Sequence, residues 1–224
     1  MTARSAARCC GRADEPWPTC GGDDDFGTAH EGPTPLVPIV QVHRADAPGV
    51  PFPPGRDLLQ VLWCPFDHGE FCYPLPQVHW RSAAAVGEVA PTPPPPAEAS
   101  EDYVPNPCAV HPEEVTEYPG WDLPQGPFET LRARFDRLRD ETGSLYQYHL
   151  ADAPGIKLGG YPGWTQEPCW PDCDGCGQRM EHLLSCAQEQ SNQWPMGRSG
   201  HDRHSKMYTP PASPSMSPAA FCAA

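Results

Sequence analysis

The large apolar residues of this chain fall in short runs broken by proline and glycine. Leu36-Val37-Pro38-Ile39-Val40-Gln41-Val42 reads as a β-strand whose proline, lacking an N–H, suits an edge or a bulge. Leu58-Leu59-Gln60-Val61-Leu62-Trp63 is the strongest strand pattern, ended by Cys64-Pro65. Val78-His79-Trp80-Arg81 predicts another strand. One segment has a helical period. Within residues 127–141, Leu131, Phe135 and Leu138 recur at i, i+4 and i+7, with Arg and Asp or Glu opposite. Thr142-Gly143 supplies its stop. Residues 146–150 alternate as a strand does.

The segments between these runs set the organisation. Residues 1–33 are polar, small and acidic and read as a loosely ordered entry. Residues 34–190 read as the folded domain, interrupted at 91–98 by a proline run with the composition of a polyproline II spacer and exposed loop. Residues 191–224 lose all periodicity and predict a disordered tail.

Composition narrows the classes. The chain has 224 residues, with 32 Pro and 20 Gly, and its mean hydropathy is −0.56. Proline at this density disfavours long helices and leaves a strand-rich, loop-rich fold. The net charge of −14 comes from 29 acidic and 15 basic residues. That balance speaks against a nucleic-acid backbone and against an anionic membrane surface. No apolar run is long enough to span a bilayer. Residues 1–11 carry Arg4 and Arg8 with no apolar stretch behind them, unlike a secretory signal. The expected compartment is a reducing cytoplasm, where the 11 cysteines point to metal or redox chemistry before disulfides.

Trp170-Pro171-Asp172-Cys173-Asp174-Gly175-Cys176-Gly177 has the spacing of a metal knuckle. Two thiols two residues apart can face one ion, and the following glycine tolerates the positive φ of the turn. Trp17-Pro18-Thr19-Cys20-Gly21-Gly22 is a degenerate echo and suggests an internal duplication. Local candidates to complete a zinc site around Cys173 and Cys176 are Cys169, His182 and Cys186. A non-local option to complete the same site is Cys64 and His68, in Cys64-Pro65-Phe66-Asp67-His68. The plainer reading of Cys64 and His68 is a turn with a buried thiol and a solvated imidazole.

Other chemistries fit less well. Cys169, Cys173 and Cys176 match the three-cysteine spacing of radical S-adenosylmethionine enzymes, but too little chain follows to build a barrel. A reactive CxxC thiol wants a helix N-terminus or nearby cations, whereas Asp172 and Asp174 flank these. Cys108 and His111 could form a nucleophile–base pair, although their proline neighbours suggest loop residues. No phosphate loop, nucleophile elbow or HExxH motif is present. Tyr161, Trp164 and Trp170, with Trp17, Trp63 and Trp121, read first as loop anchors over a small core, and second as the lining of a peptide groove.

Gly155-Ile156-Lys157-Leu158-Gly159-Gly160-Tyr161-Pro162-Gly163-Trp164-Thr165-Gln166 resembles the hallmark of the YwqG-like family of uncharacterised bacterial proteins. Pro35-Leu36-Val37-Pro38, the run from Asp57 to Pro65, and Cys108-Ala109-Val110-His111-Pro112-Glu113 resemble its actinobacterial branch. The resemblance covers about residues 12–187. It implies a compact strand-rich α+β fold with internal duplication and no established activity. Longer members follow the knuckle with a later strand ending in a second Cys/His pair; Cys64-Pro65-Phe66-Asp67-His68 resembles that element, which would make it the first repeat's version, paired with Cys20. Here Ser191 onward departs from them, as a truncation or a frame change would.

The sequence thus predicts an α+β fold with internally duplicated mixed or antiparallel sheets, one main helix and a zinc-knuckle-like turn. It predicts a non-enzymatic binding module for an unknown protein or peptide partner, with structural zinc at Cys173, Cys176, Cys64 and His68. The alternative is a small enzyme using Cys108 and His111.

Overall fold

The computed structural model describes residues 16–22, 30–68, 74–88, 90–151, 153, 155–164, 167–173 and 176–187, together with the backbone of a strand at 204–209. It is a mixed, strand-rich fold of three small antiparallel sheets and one main helix. The chain divides into two compact units, the first reaching Glu113 and the second beginning at Glu114.

In the first unit, β1 (Thr19–Cys20) pairs with β2 (Thr34–Pro35). A three-stranded meander follows: β3 (Val37–His43), β4 (Leu58–Trp63) and β5 (Pro76–Arg81), with β4 in the centre. All six residues of β4 are buried, as a central strand covered on both faces requires. Its polar member, Gln60, donates to Oε1 of its cross-strand partner Gln41 at 2.9 Å, so the amide is not buried without compensation. Pro38 sits beside a register shift in the edge strand β3, the bulge its missing donor predicted. Leu36 and Leu62 pack with Cys20 and Cys64 in one buried cluster, against which Trp17 and Phe66 lie half-buried.

The second unit opens with α1 (Gln125–Thr142), continues through the short α2 (Tyr146–His149), and ends in a sheet of β6 (Lys157–Leu158), β7 (Glu181–Ala187) and β8 (His204–Thr209) with β7 central. Gly143 ends α1 in the left-handed region, at φ 74°, and its N–H caps the Arg139 carbonyl at 2.8 Å. No residue of α1 is fully buried.

Residues 146–149 form a helical turn rather than the strand that their alternation predicted. The turn lays Tyr146 flat on Phe135, with ring centroids 4.4 Å apart and planes 15° from parallel. That aromatic contact, together with the Leu145 N–H donated to His149 Nδ1 at 2.8 Å, outweighs a five-residue alternation. β8 lies in the stretch whose composition reads as a tail.

The two sheets share a detail. β3 and β7 are each seven residues long. Each pairs with a six-residue strand, and each has its register shift at the same step, Pro38/Val40 in one and His182/Leu184 in the other. Leu36 N–H donates to the Pro18 carbonyl just before β3, and Met180 N–H donates to the Pro171 carbonyl just before β7.

Among the described residues no helix is long and apolar enough to cross a membrane.

Candidate metal centre

Cys20, His30, Cys64 and His68 converge, each offering one ligand atom within 4.8 Å of the other three. Local structure delivers each one. β1 carries Cys20 inward, paired across from Thr34. Cys64 follows directly on β4, where its N–H donates to the Leu75 carbonyl at 2.9 Å. His68 closes the turn begun by Cys64-Pro65. That turn is pinned from a distant segment: Ser100 N–H donates to the Pro65 carbonyl, and Tyr103 O–H donates to Asp67 at 2.5 Å. Asp67 is thereby turned to Tyr103, and the thiol and the imidazole are the donor atoms this loop offers.

Cys20, Cys64 and His68 are buried, at 5%, 0% and 3% exposure. Cys20 Sγ and His68 Nε2 lie 3.7 Å apart. Two ligands on a tetrahedral zinc, with Zn–S near 2.3 Å and Zn–N near 2.05 Å, would stand about 3.6 Å apart. The rings of His30 and His68 meet edge to face, with centroids 5.8 Å apart.

His30 supplies the sharpest observation. Its Nδ1–H donates to the Gly32 carbonyl at 2.9 Å, with the Thr34 hydroxyl 2.9 Å from the same nitrogen. This leaves the lone pair on Nε2, and Nε2 is buried with no hydrogen-bond partner. A metal-bound histidine has the same arrangement, one nitrogen on a backbone carbonyl fixing the tautomer and the other on the ion. Without an ion, a buried nitrogen of this kind is an uncompensated cost.

The thiols point the same way. Burial pushes Cys64 up to about 12, the neighbouring Cys20 adds to the rise, and a hydrogen bond from the Phe66 backbone only partly offsets it. A divalent cation reverses that for Cys64 by taking it as a thiolate. Two sulfurs and two imidazoles, three of the four residues buried and His30 half-buried, match the ligand set of a four-coordinate ion. These residues can hold a metal ion.

Of the residues singled out from sequence, Cys64, His68 and Cys20 come together here. His30 was missed, because it lies beyond a Gly- and Asp-rich stretch with no fixed spacing to its partners. The other expected pair shares a turn: the Cys173 carbonyl accepts the Cys176 and Gly177 N–H groups, and Gly177 has φ 66°. Cys173 is buried and Cys176 exposed. Among the described residues no third ligand joins them. Cys169 is exposed. His182 spends both nitrogens, one on the Gly159 carbonyl at 2.9 Å and one on Ser185 Oγ at 2.8 Å. Cys186, on β7, is pushed up to about 12 by burial. Cys108 and His111 both lie exposed on a stretch without regular structure. Cys20, Cys64, Cys108, Cys169, Cys176 and Cys186 are free thiols.

Compared with known protein families, with curated proteins and with solved structures, the chain matches none.

Proposed function

We propose that this chain is a non-enzymatic interaction module whose first unit is held together by one structural zinc on Cys20, His30, Cys64 and His68. The observation that carries the reading is the buried His30 Nε2, without a hydrogen-bond partner, in a group of four candidate ligands of which the other three residues are buried. Zinc is favoured over harder cations because, among the described residues, no carboxylate joins the group, and both thiols are soft donors. A structural role is favoured over catalysis because the four protein ligands complete a tetrahedron and the group is walled by Leu36, Leu62, Trp17 and Phe66.

An internal duplication belongs to the same reading. It is supported by the matched bulges of β3 and β7 and by the matched hydrogen bonds to Pro18 and Pro171. On this view Cys173 is the counterpart of Cys20, in a repeat that has kept the turn, with no third ligand among the described residues. The YwqG-like resemblance and a reducing, cytoplasmic compartment are consistent with it and are part of the proposal.

The test is metal content of the purified chain by elemental mass spectrometry. One zinc per chain is expected, lost in Cys64→Ser and in His30→Gln and kept in Cys173→Ser. Loss of the ion should lower the melting temperature by about 10 °C or more. Zinc that survives Cys64→Ser but leaves with Cys173→Ser would move the site to the second unit. Absence of metal in protein purified without chelator would end the reading.

A further inference from the structure

Trp164 and Trp170 of the second unit stand as two walls of a corner, their planes 70° apart and their ring centroids 5.6 Å apart. Asp122 forms the base. One of its oxygens accepts the Trp164 indole N–H and the other the Trp170 indole N–H, each at 2.7 Å. The carboxylate is therefore bound by both walls and fixes their orientation. Its side chain is only 15% exposed, so its charge is poorly screened.

The corner already holds a cation. The Arg179 guanidinium lies 4.2 Å from the centroid of the Trp170 ring. Its nearest nitrogen is 3.7 Å from Asp122, beyond hydrogen-bond reach. Arg179 thus occupies the site by stacking and long-range attraction, without the bidentate grip that would lock it there. Its side chain is 59% exposed. It projects from the strand-like bridge between Asp172 and Arg179 that brackets the Cys173 turn. Such an arm can leave at small cost.

The Trp-Pro step of the first unit builds no such corner. Trp17 holds the position before Pro18 that Trp170 holds before Pro171, yet it spends its indole N–H on the Leu36 carbonyl and packs on the buried cluster. Of these two, it is Trp170 that is turned to a shared carboxylate and a second tryptophan. The chain's net charge of −14 further favours a cationic partner over an anionic one.

We infer that the Trp164–Trp170–Asp122 corner is a binding site for an arginine side chain of a partner peptide, and that Arg179 is the internal occupant it displaces. A guanidinium fits better than an ammonium. It is planar, stacks on an indole face and sheds water more readily than lysine does. The inference deepens the interaction-module reading by naming its partner's chemistry, and it does not rest on the metal.

The test uses the full chain titrated with N-acetyl-L-arginine amide and, separately, with N-acetyl-L-lysine amide. The readout is the indole N–H resonances of Trp164 and Trp170, assigned by substitution. Arg179→Ala, freed of the internal competitor, should bind the arginine probe about ten-fold more tightly than the unmodified chain. It should prefer arginine to lysine, and adding Trp170→Leu should abolish binding. Arg179→Gln, which keeps the polar arm without the charge, decides the matter if the alanine variant folds poorly. Equal binding of the two probes, or no gain in either variant that melts like the parent chain, overturns the inference. Zinc measured on the same samples separates the two proposals, since arginine binding by a metal-free chain would leave this one standing.

Discussion

The Glu117 carboxylate occupies the space into which a side chain at Gly160 would project. Gly160 is also held at φ 71°. Alanine there meets a positive-φ penalty and a collision with a carboxylate that cannot retreat. Glu117 accepts from Ala153 N–H at 2.6 Å, from Lys157 Nζ at 2.8 Å and from Tyr161 N–H at 3.0 Å. Gly155 is a control, with φ 86° and nothing near its would-be side chain. We expect Gly160→Ala to cost about 2–4 kcal/mol in denaturant unfolding, against about 1 kcal/mol for Gly155→Ala. Equal losses would show that the Glu117 contact is not what constrains the loop.

The same carboxylate should make the second unit acid-sensitive. Burial works to raise Glu117, but the hydrogen bonds from Lys157, Ala153 and Tyr161 and the Lys157 charge outweigh it and hold the carboxyl below its ordinary value. The folded value is depressed, so the stabilisation is present above the unfolded carboxyl range, near about 4.3, and is lost as pH falls through the lower folded value. Melting curves of the parent chain and Glu117→Gln should differ most near neutrality and converge below about pH 4. Curves that stay parallel to pH 3 would contradict this.

A glycine that is not a ligand should govern metal affinity. A side chain on Gly22 would stand 2.6 Å from the His30 carbonyl oxygen and 3.1 Å from its ring, whereas one on Gly21 would meet nothing. Gly22→Ala should displace the His30 ring and weaken zinc binding by about 10–100-fold in a competition titration with a chromophoric chelator. Gly21→Ala should bind like the parent. Identical affinities in both variants would remove His30 from the ligand set.

Zinc uptake should release protons. Cys64 without metal keeps its proton up to about pH 12, and Cys20 must also be taken as a thiolate. Calorimetry in buffers of different ionisation enthalpy should report about two protons released per ion near pH 7.5, with affinity falling roughly 100-fold per pH unit towards acid. Release of no protons would mean that the thiols are not ligands.

What the sequence revealed depended on how local the cause was. β4 was legible because six large residues in a row match a strand buried on both faces. α1 was legible because Leu131, Phe135 and Leu138 repeat at the helical period and Gly143 follows. Cys64 and His68 were legible as a pair because one short turn holds both. His30 was not, since its partners are fixed by strand pairing rather than by spacing. The turn at residues 146–149 was misread because Tyr146, Tyr148 and Leu150 alternate, while the contact that decides the matter is with Phe135, on another helix. β8 carries no apolar alternation at all, and its partner β7 supplies the pattern.

The separation of Cys20 from His68, 48 residues along the chain, has a kinetic consequence. An ion bridging them closes β2, β3 and β4 into a ring, and closing a loop of that length costs entropy that local pairing does not repay. A metal caught first by Cys20 and His30 would gather β4 as the rest of the chain arrives. A hairpin formed first would instead present a ready pocket to the ion. Whether added zinc speeds refolding of the first unit, or only slows its unfolding, distinguishes an ion that organises the assembly from one that locks it afterwards.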